Sequence, residues 1–161
     1  MSDSGTEPTI LVFMRLCMGW TFLYAASHQV FVAGWSVSGF LNGTKTFHWL
    51  FGPLAGPSTA PILTVLVEYG HLLIGLSLIF GLMVRLSSTF GILLMLLYWM
   101  AHMNFPYISN NLNFLIDEHI VYALVLWLMI VKRAGHAFGL DGWAEKQPLF
   151  SNSRALRWTV A

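Results

Sequence analysis

The sequence predicts an all-α integral membrane protein: an antiparallel bundle of four transmembrane helices, both termini cytoplasmic, with a short amphipathic helix in the outer loop. Three observations predict it. Hydrophobic residues make up 57% of the 161-residue chain and charged residues 9%, against about 45–50% and about 25% in soluble domains. Four apolar stretches each approach the roughly 20 residues needed to cross about 30 Å of hydrocarbon. The basic residues outside those stretches fall almost entirely on one side of them. The same composition excludes a disordered chain and a coiled coil, and a lone cysteine, Cys17, excludes an internal disulfide. A net charge of +1 gives no electrostatic footprint for a nucleic acid.

Residues 1–8 form a cytoplasmic N-terminus that holds Asp3 and Glu7 but no Lys or Arg, unlike the basic leader of a signal peptide. The transmembrane domain covers residues 9–133, with spans over about Thr9–Gly34, Ala60–Met83, Leu86–Pro106 and Leu112–Ile130. In the outer loop Phe40, Thr44, Phe47 and Phe51 recur at helical spacing before Pro53, Pro57 and Pro61 end the pattern. Arg85 interrupts the apolar run between the second and third spans and forces a tight turn. Asn104, Pro106 and Ser109-Asn110-Asn111 close the third span, because proline and polar turn formers do not continue a lipid-exposed helix. Lys132 and Arg133 stop the fourth. Residues 134–161 read as a cytoplasmic tail at the interface, mixing Trp143 and Trp158 with Arg154 and Arg157. One side of the spans carries Arg85, Lys132, Arg133, Lys146, Arg154 and Arg157 and the other only Lys45, so the positive-inside rule orients the chain in the plasma membrane.

Ionisable groups within spans are expensive, roughly 2.5–3.5 kcal/mol each on insertion scales, and usually face the bundle interior. Here they are Arg15 and His28, Glu68 and His71, His102, and Asp117, Glu118 and His119. At about 1.5 Å rise per residue, all but Arg15 fall in the outer half of the membrane, at a common depth. At about 100° per residue, Glu68 and His71 share one face of the second span, and Gly91, Met95, Tyr98 and His102 align on the third. On the fourth, Asn110, Asn113 and Asp117 form a polar stripe, with Glu118 or His119 turned towards headgroups or a neighbouring subunit. Glu68-x-x-His71 has the spacing used by di-iron bundles, but those need the motif on two helices and the chain holds it once. Neither a metal nor a haem is expected. Glu68 has a plain structural reading too, as the partner of a histidine or of Arg15.

Several positions form a family pattern. In the first span it is Arg15, Gly19 and Phe22. In the second it is Glu68 and Gly70, leading to a turn at Gly81, Leu82 and Arg85, and after the last span it is Gly135, Leu140 and Asp141. On these residues the chain resembles the DoxX/DoxD family, which includes the small membrane subunit of thiosulfate:quinone oxidoreductase. It departs from the pattern at His28-Gln29, where the family often carries a lysine, and at His71, where it carries a small residue. The resemblance implies a membrane redox component passing electrons from a small sulfur anion, thiosulfate, to quinone at the outer polar layer. Glu68, His71, Asp117 and His102 are then the expected proton-handling catalytic groups, and His28, Tyr98 and Arg15 the cofactor-binding ones. The alternative is a non-catalytic accessory subunit of a larger respiratory or photosynthetic membrane complex, in contact with other membrane subunits and lipid.

Overall fold

The computed structural model describes residues 5–108 and 116–160. Three helices are long and apolar enough to cross a membrane: α1 (Thr6–Val30), α4 (Ala60–Phe80) and α5 (Val84–His102). A shorter apolar helix, α6 (Glu118–Val131), packs beside them. Their inner faces meet in one core in which Phe22, Leu78, Leu126 and Met129 are at most 2% exposed. Glycines set the helix spacing. A Cβ on Gly75 of α4 would stand 2.7 Å from the Leu23 side chain and 2.9 Å from its backbone nitrogen, and one on Gly91 of α5 2.9 Å from Leu126 Cδ1. Large apolar side chains face outward instead of inward: Trp20 and Leu73 are each 64% exposed and Trp127 60%. A water-soluble bundle would hide them. A membrane-embedded protein presents them to lipid.

Between α1 and α4 the loop folds into α2 (Ser38–Gly43), α3 (His48–Phe51) and a 3₁₀ turn over Gly52–Ala55. The single amphipathic helix expected there is thus two. Thr44 breaks it: its backbone is extended and its Oγ1 donates to the Leu41 carbonyl at 2.8 Å, ending α2 within the pattern. The spacing still marks the inner face, since Thr44 and Phe51 are buried and Phe40 and Phe47 half-buried. Val37, Leu41 and Phe51 form a second small core against Ala101 of α5, so the loop caps one end of the bundle.

The end of the third span and the start of the fourth differ from the sequence expectation. Helix α5 stops at His102, and Asn104 lies in a hairpin of β1 (Met103–Asn104) and β2 (Tyr107–Ile108), registered Met103 to Ile108. Helix α6 begins at Glu118 and not near Leu112, because Asp117 is extended (φ −82°, ψ 153°) and serves as its N-cap, accepting from the His119 amide at 2.7 Å. The expected stripe of Asn110, Asn113 and Asp117 therefore fails at Asp117, and Asn110 and Asn113 lie outside the described residues.

The opposite end is closed by the C-terminal segment. Arg15, 2% exposed, donates from Nη1 to the carbonyls of Ala134 (2.9 Å) and Ala137 (3.2 Å) and from Nη2 to Phe138 (3.4 Å). Gly81, in the left-handed region at φ 65°, and Gly139 leave room for the guanidinium, which a Cβ on either would strike. Asp141 caps α5, accepting from the Met83 amide at 2.6 Å and the Val84 amide at 3.1 Å. Residues 134–160, expected as a tail grazing the surface, instead fold back through α7 (Asp141–Ala144), α8 (Pro148–Ser151) and α9 (Arg154–Val160), with α9 against α5 and Arg85 5.6 Å over the Trp158 ring. Lys132 pairs with Glu7 at 2.7 Å at this same end.

Asp141 gives this clasp a pH signature. Burial pushes its carboxyl up to about 6 from 3.8, against the pull of the two amides, His136 and Arg15. A folded pKa above the unfolded one means the folded chain binds more protons between about pH 4 and pH 6. The contribution is therefore full below that window and is lost as pH rises through it, by up to about 3 kcal/mol. Thermal midpoints in detergent, taken as wild type minus Asp141→Asn, are expected to fall from pH 4 to pH 6.5. A difference that rises over that range would refute this assignment.

Candidate functional site

The burial pattern of α1 runs Leu11, Arg15, Met18, Phe22 and Ala26 in steps of three and four, and Gln29 is its next member. Gln29 consequently faces the bundle, and its Oε1 lies 2.8 Å from Nδ1 of His71, which is 2% exposed on α4. Neighbouring residues on a helix are turned by about 100°. His28 is therefore directed outward, where it is exposed, bonded to Ser27 and the Tyr24 carbonyl, with its ring tilted against Tyr24 at 4.5 Å.

The His71 ring continues into an aromatic and acid cluster. It lies 5.8 Å from Phe22 and 5.7 Å from Tyr98 of α5, and Tyr98 meets His119 edge-on at 5.5 Å. One turn beyond Tyr98, His102 lies 5.1 Å from His119 with the rings 33° apart. Asp117, 1% exposed, sits between them. Its Oδ1 is in contact with His119 Nδ1, and its Oδ2 is 3.8 Å from His102 Nδ1. Among the described residues that His102 nitrogen is buried without a hydrogen-bond partner. One ligand atom from each of His102, Asp117 and His119 lies within 4.8 Å of the other two. Phe40 of the capping loop covers the group, 5.2 Å from Tyr98 and 5.6 Å from His102.

Two histidines and an acid in hydrogen-bond or near contact, with a phenol beside them, form a set able to hold and hand on protons. The same set, through His102, Asp117 and His119, is the one able to hold a metal.

Of the residues singled out by sequence, His71, Tyr98, His102 and Asp117 are brought together, and three are not. Arg15 lies at the other end of the bundle in the C-terminal clasp. His28 faces outward. Glu68 is half-buried on α4 and, among the described residues, makes no hydrogen bond or ion pair. Sequence reasoning missed Gln29, legible as the last member of the α1 stripe, and Phe40. It also turned His119 away, because it continued the helix through Asp117. With Asp117 as the cap, His119 sits in the first turn and its ring folds back onto the carboxylate.

A family model described as DoxX matches residues 10–103. No curated protein and no solved structure matches the chain.

Proposed function

From membership in the DoxX family, to which this chain belongs, we propose a membrane redox component that passes electrons from a small sulfur anion such as thiosulfate to quinone at the Gln29–His71–Tyr98–His102–Asp117–His119 cluster. In this reading α6 supplies a fourth crossing, both termini are cytoplasmic in the plasma membrane, and the cluster lies beneath the outer face. Loop charge supports that orientation: the end with Arg85, Lys132 and Arg133 carries the positive charge. The 14 residues of α6 rise about 21 Å, short of the about 30 Å of hydrocarbon. With Lys132 at the inner surface, Asp117 then falls inside the apolar layer, where a carboxylate needs the partners it has.

The single observation that carries the reading is this acid–imidazole–phenol cluster, built around buried His71 and Asp117, at one end of an otherwise apolar bundle. A quinone needs an apolar path for its tail and proton-exchanging donors at its ring. Two sulfur anions joining through a new S–S bond release two electrons, and the quinone takes those electrons with two protons. In this reading His71 and Tyr98 donate to the quinone oxygens, and Asp117 with His119 refills the protons. Purified protein in proteoliposomes is expected to reduce a short-chain quinone with thiosulfate, and His71→Phe and Tyr98→Phe to slow this about 100-fold, the range of general acid–base assistance. Failure of the wild type to reduce quinone with any sulfur donor overturns the proposal.

Glu68 favours a second reading. A half-buried carboxylate in a membrane helix without an internal partner needs one from elsewhere, and an accessory subunit finds it on a neighbour. Copurification in stoichiometric amounts with a membrane complex that loses integrity on Glu68→Gln and keeps its activity on His71→Phe would select it.

A further inference from the structure

The geometry points to a divalent first-row metal ion, zinc or ferrous iron, held by His102 Nδ1, His119 Nδ1 and the Asp117 carboxylate. Two imidazoles and one carboxylate with open positions are a donor set that both ions accept. Ligands about 2.0–2.2 Å from a tetrahedral ion stand roughly 3.3 Å apart, so atoms already within 4.8 Å of one another need only close in.

Three features point to an ion and not merely to a hydrogen-bonded acid. The first is the orphaned nitrogen. Among the described residues His102 Nδ1 is buried with no hydrogen-bond partner, and it lies 3.8 Å from Asp117 Oδ2, too far for a hydrogen bond and suited to a shared ligand. The second is charge. Asp117 is 1% exposed, and among the described residues no lysine or arginine pairs with it. Arg15, the buried cation of the bundle, is committed to carbonyls at the opposite end. Charging both imidazoles at 5.1 Å from each other would set two like charges together in an apolar surround. A dication answers the carboxylate while leaving both rings neutral, as ligands must be.

The third feature is construction from separate elements. His102 ends α5, whereas Asp117 and His119 form the cap and first turn of α6, so the donors converge only in the folded chain. Without an ion the His119–Asp117 contact is held by the single proton of a neutral imidazole on Nδ1, and when an ion takes Nδ1 that same proton is carried on Nε2, so the ring stays neutral. Three protein donors leave at least one position for water or an anion, as in catalytic and not structural zinc sites. Phe40 shields that position, and His71, joined to the cluster through Tyr98, is not a ligand.

The inference goes beyond the quinone reading, because occupancy is measured without turnover. Protein purified in detergent, stripped with chelator and titrated separately with zinc, ferrous iron and cobalt is expected to bind about one ion per chain. Cobalt is expected to give the intense visible bands of a low-coordinate nitrogen and oxygen site. His102→Phe and Asp117→Asn, which retain the ring packing and the helix cap respectively, are expected to weaken binding at least about 100-fold, while His71→Phe, His48→Ala and His136→Ala retain it. Metal analysis of material that was never stripped identifies which ion the site carries. Wild type that takes up no stoichiometric ion at micromolar metal overturns the inference, as does unchanged binding in His102→Phe with a native circular dichroism spectrum. Protein that reduces quinone but takes up no ion overturns this inference alone, and protein that binds the ion but reduces no quinone overturns only the redox reading.

Discussion

Arg15→Ala is expected to unfold the protein in detergent or to lower its thermal midpoint by many degrees. The substitution removes a guanidinium that satisfies three carbonyls of the segment after α6, at 2.9, 3.2 and 3.4 Å. Those carbonyls face the cavity it would leave between Gly81 and Gly139, each orphaned acceptor costing about 1–3 kcal/mol. The sum reaches at least about 3 kcal/mol, a large share of the 5–15 kcal/mol typical of a folded domain. Arg15→Lys offers one ammonium in place of a fork, so it is expected to recover only part of the loss. Circular dichroism melts of the three proteins check this. An Arg15→Ala midpoint within about 2 °C of wild type, for a chain of this size, would show that the clasp contributes little.

Gly75→Ala is expected to damage stability and site together. The added methyl meets Leu23 Cγ at 2.7 Å and the Leu23 backbone nitrogen at 2.9 Å. A side chain can turn aside, but the backbone nitrogen cannot, so α1 and α4 must separate. Overpacking of this kind costs typically about 1–3 kcal/mol. Four residues along α4 from Gly75 is His71, whose bond to Gln29 of α1 spans the same seam at 2.8 Å. Splaying the helices lengthens that bond first. The expected result is a lowered melt accompanied by at least a tenfold loss of quinone reduction, while Gly70→Ala, with nothing within 4 Å of its added methyl, changes neither. Equal behaviour of the two variants would show that the α1–α4 contact does not set the site.

Arg15, Gly19, Gly81, Arg85, Gly135 and Asp141, on which the family resemblance rests, serve the clasp and the close helix contacts. Arg15 was expected near a cofactor, yet its depth alone, apart from every other ionisable group in the spans, already separated it. The cluster draws instead on two departures from the pattern, His71 and the Gln29 of His28-Gln29. Most of the family signature here marks the fold, although Glu68 and Gly70 of the same pattern serve neither the clasp nor a close helix contact.

Hydrophobic length and the position of each charge are local properties. They sufficed to set out the apolar helices and to gather His71, His102 and Asp117 towards one end of them, whereas the turn expected at Arg85 falls at Gly81–Met83, with Arg85 inside α5. Which way each polar group turns was legible only where the helix ran unbroken. It failed at Thr44 and Asp117, because a side chain that bonds its own backbone ends a helix without changing hydropathy. Only the tertiary structure decided that Gln29 and not His28 meets His71, that His119 folds back to Asp117, and that the C-terminal segment closes on Arg15. The first and last of those contacts depend on how closely glycine lets neighbouring segments approach, whereas the His119–Asp117 contact follows from the cap at Asp117.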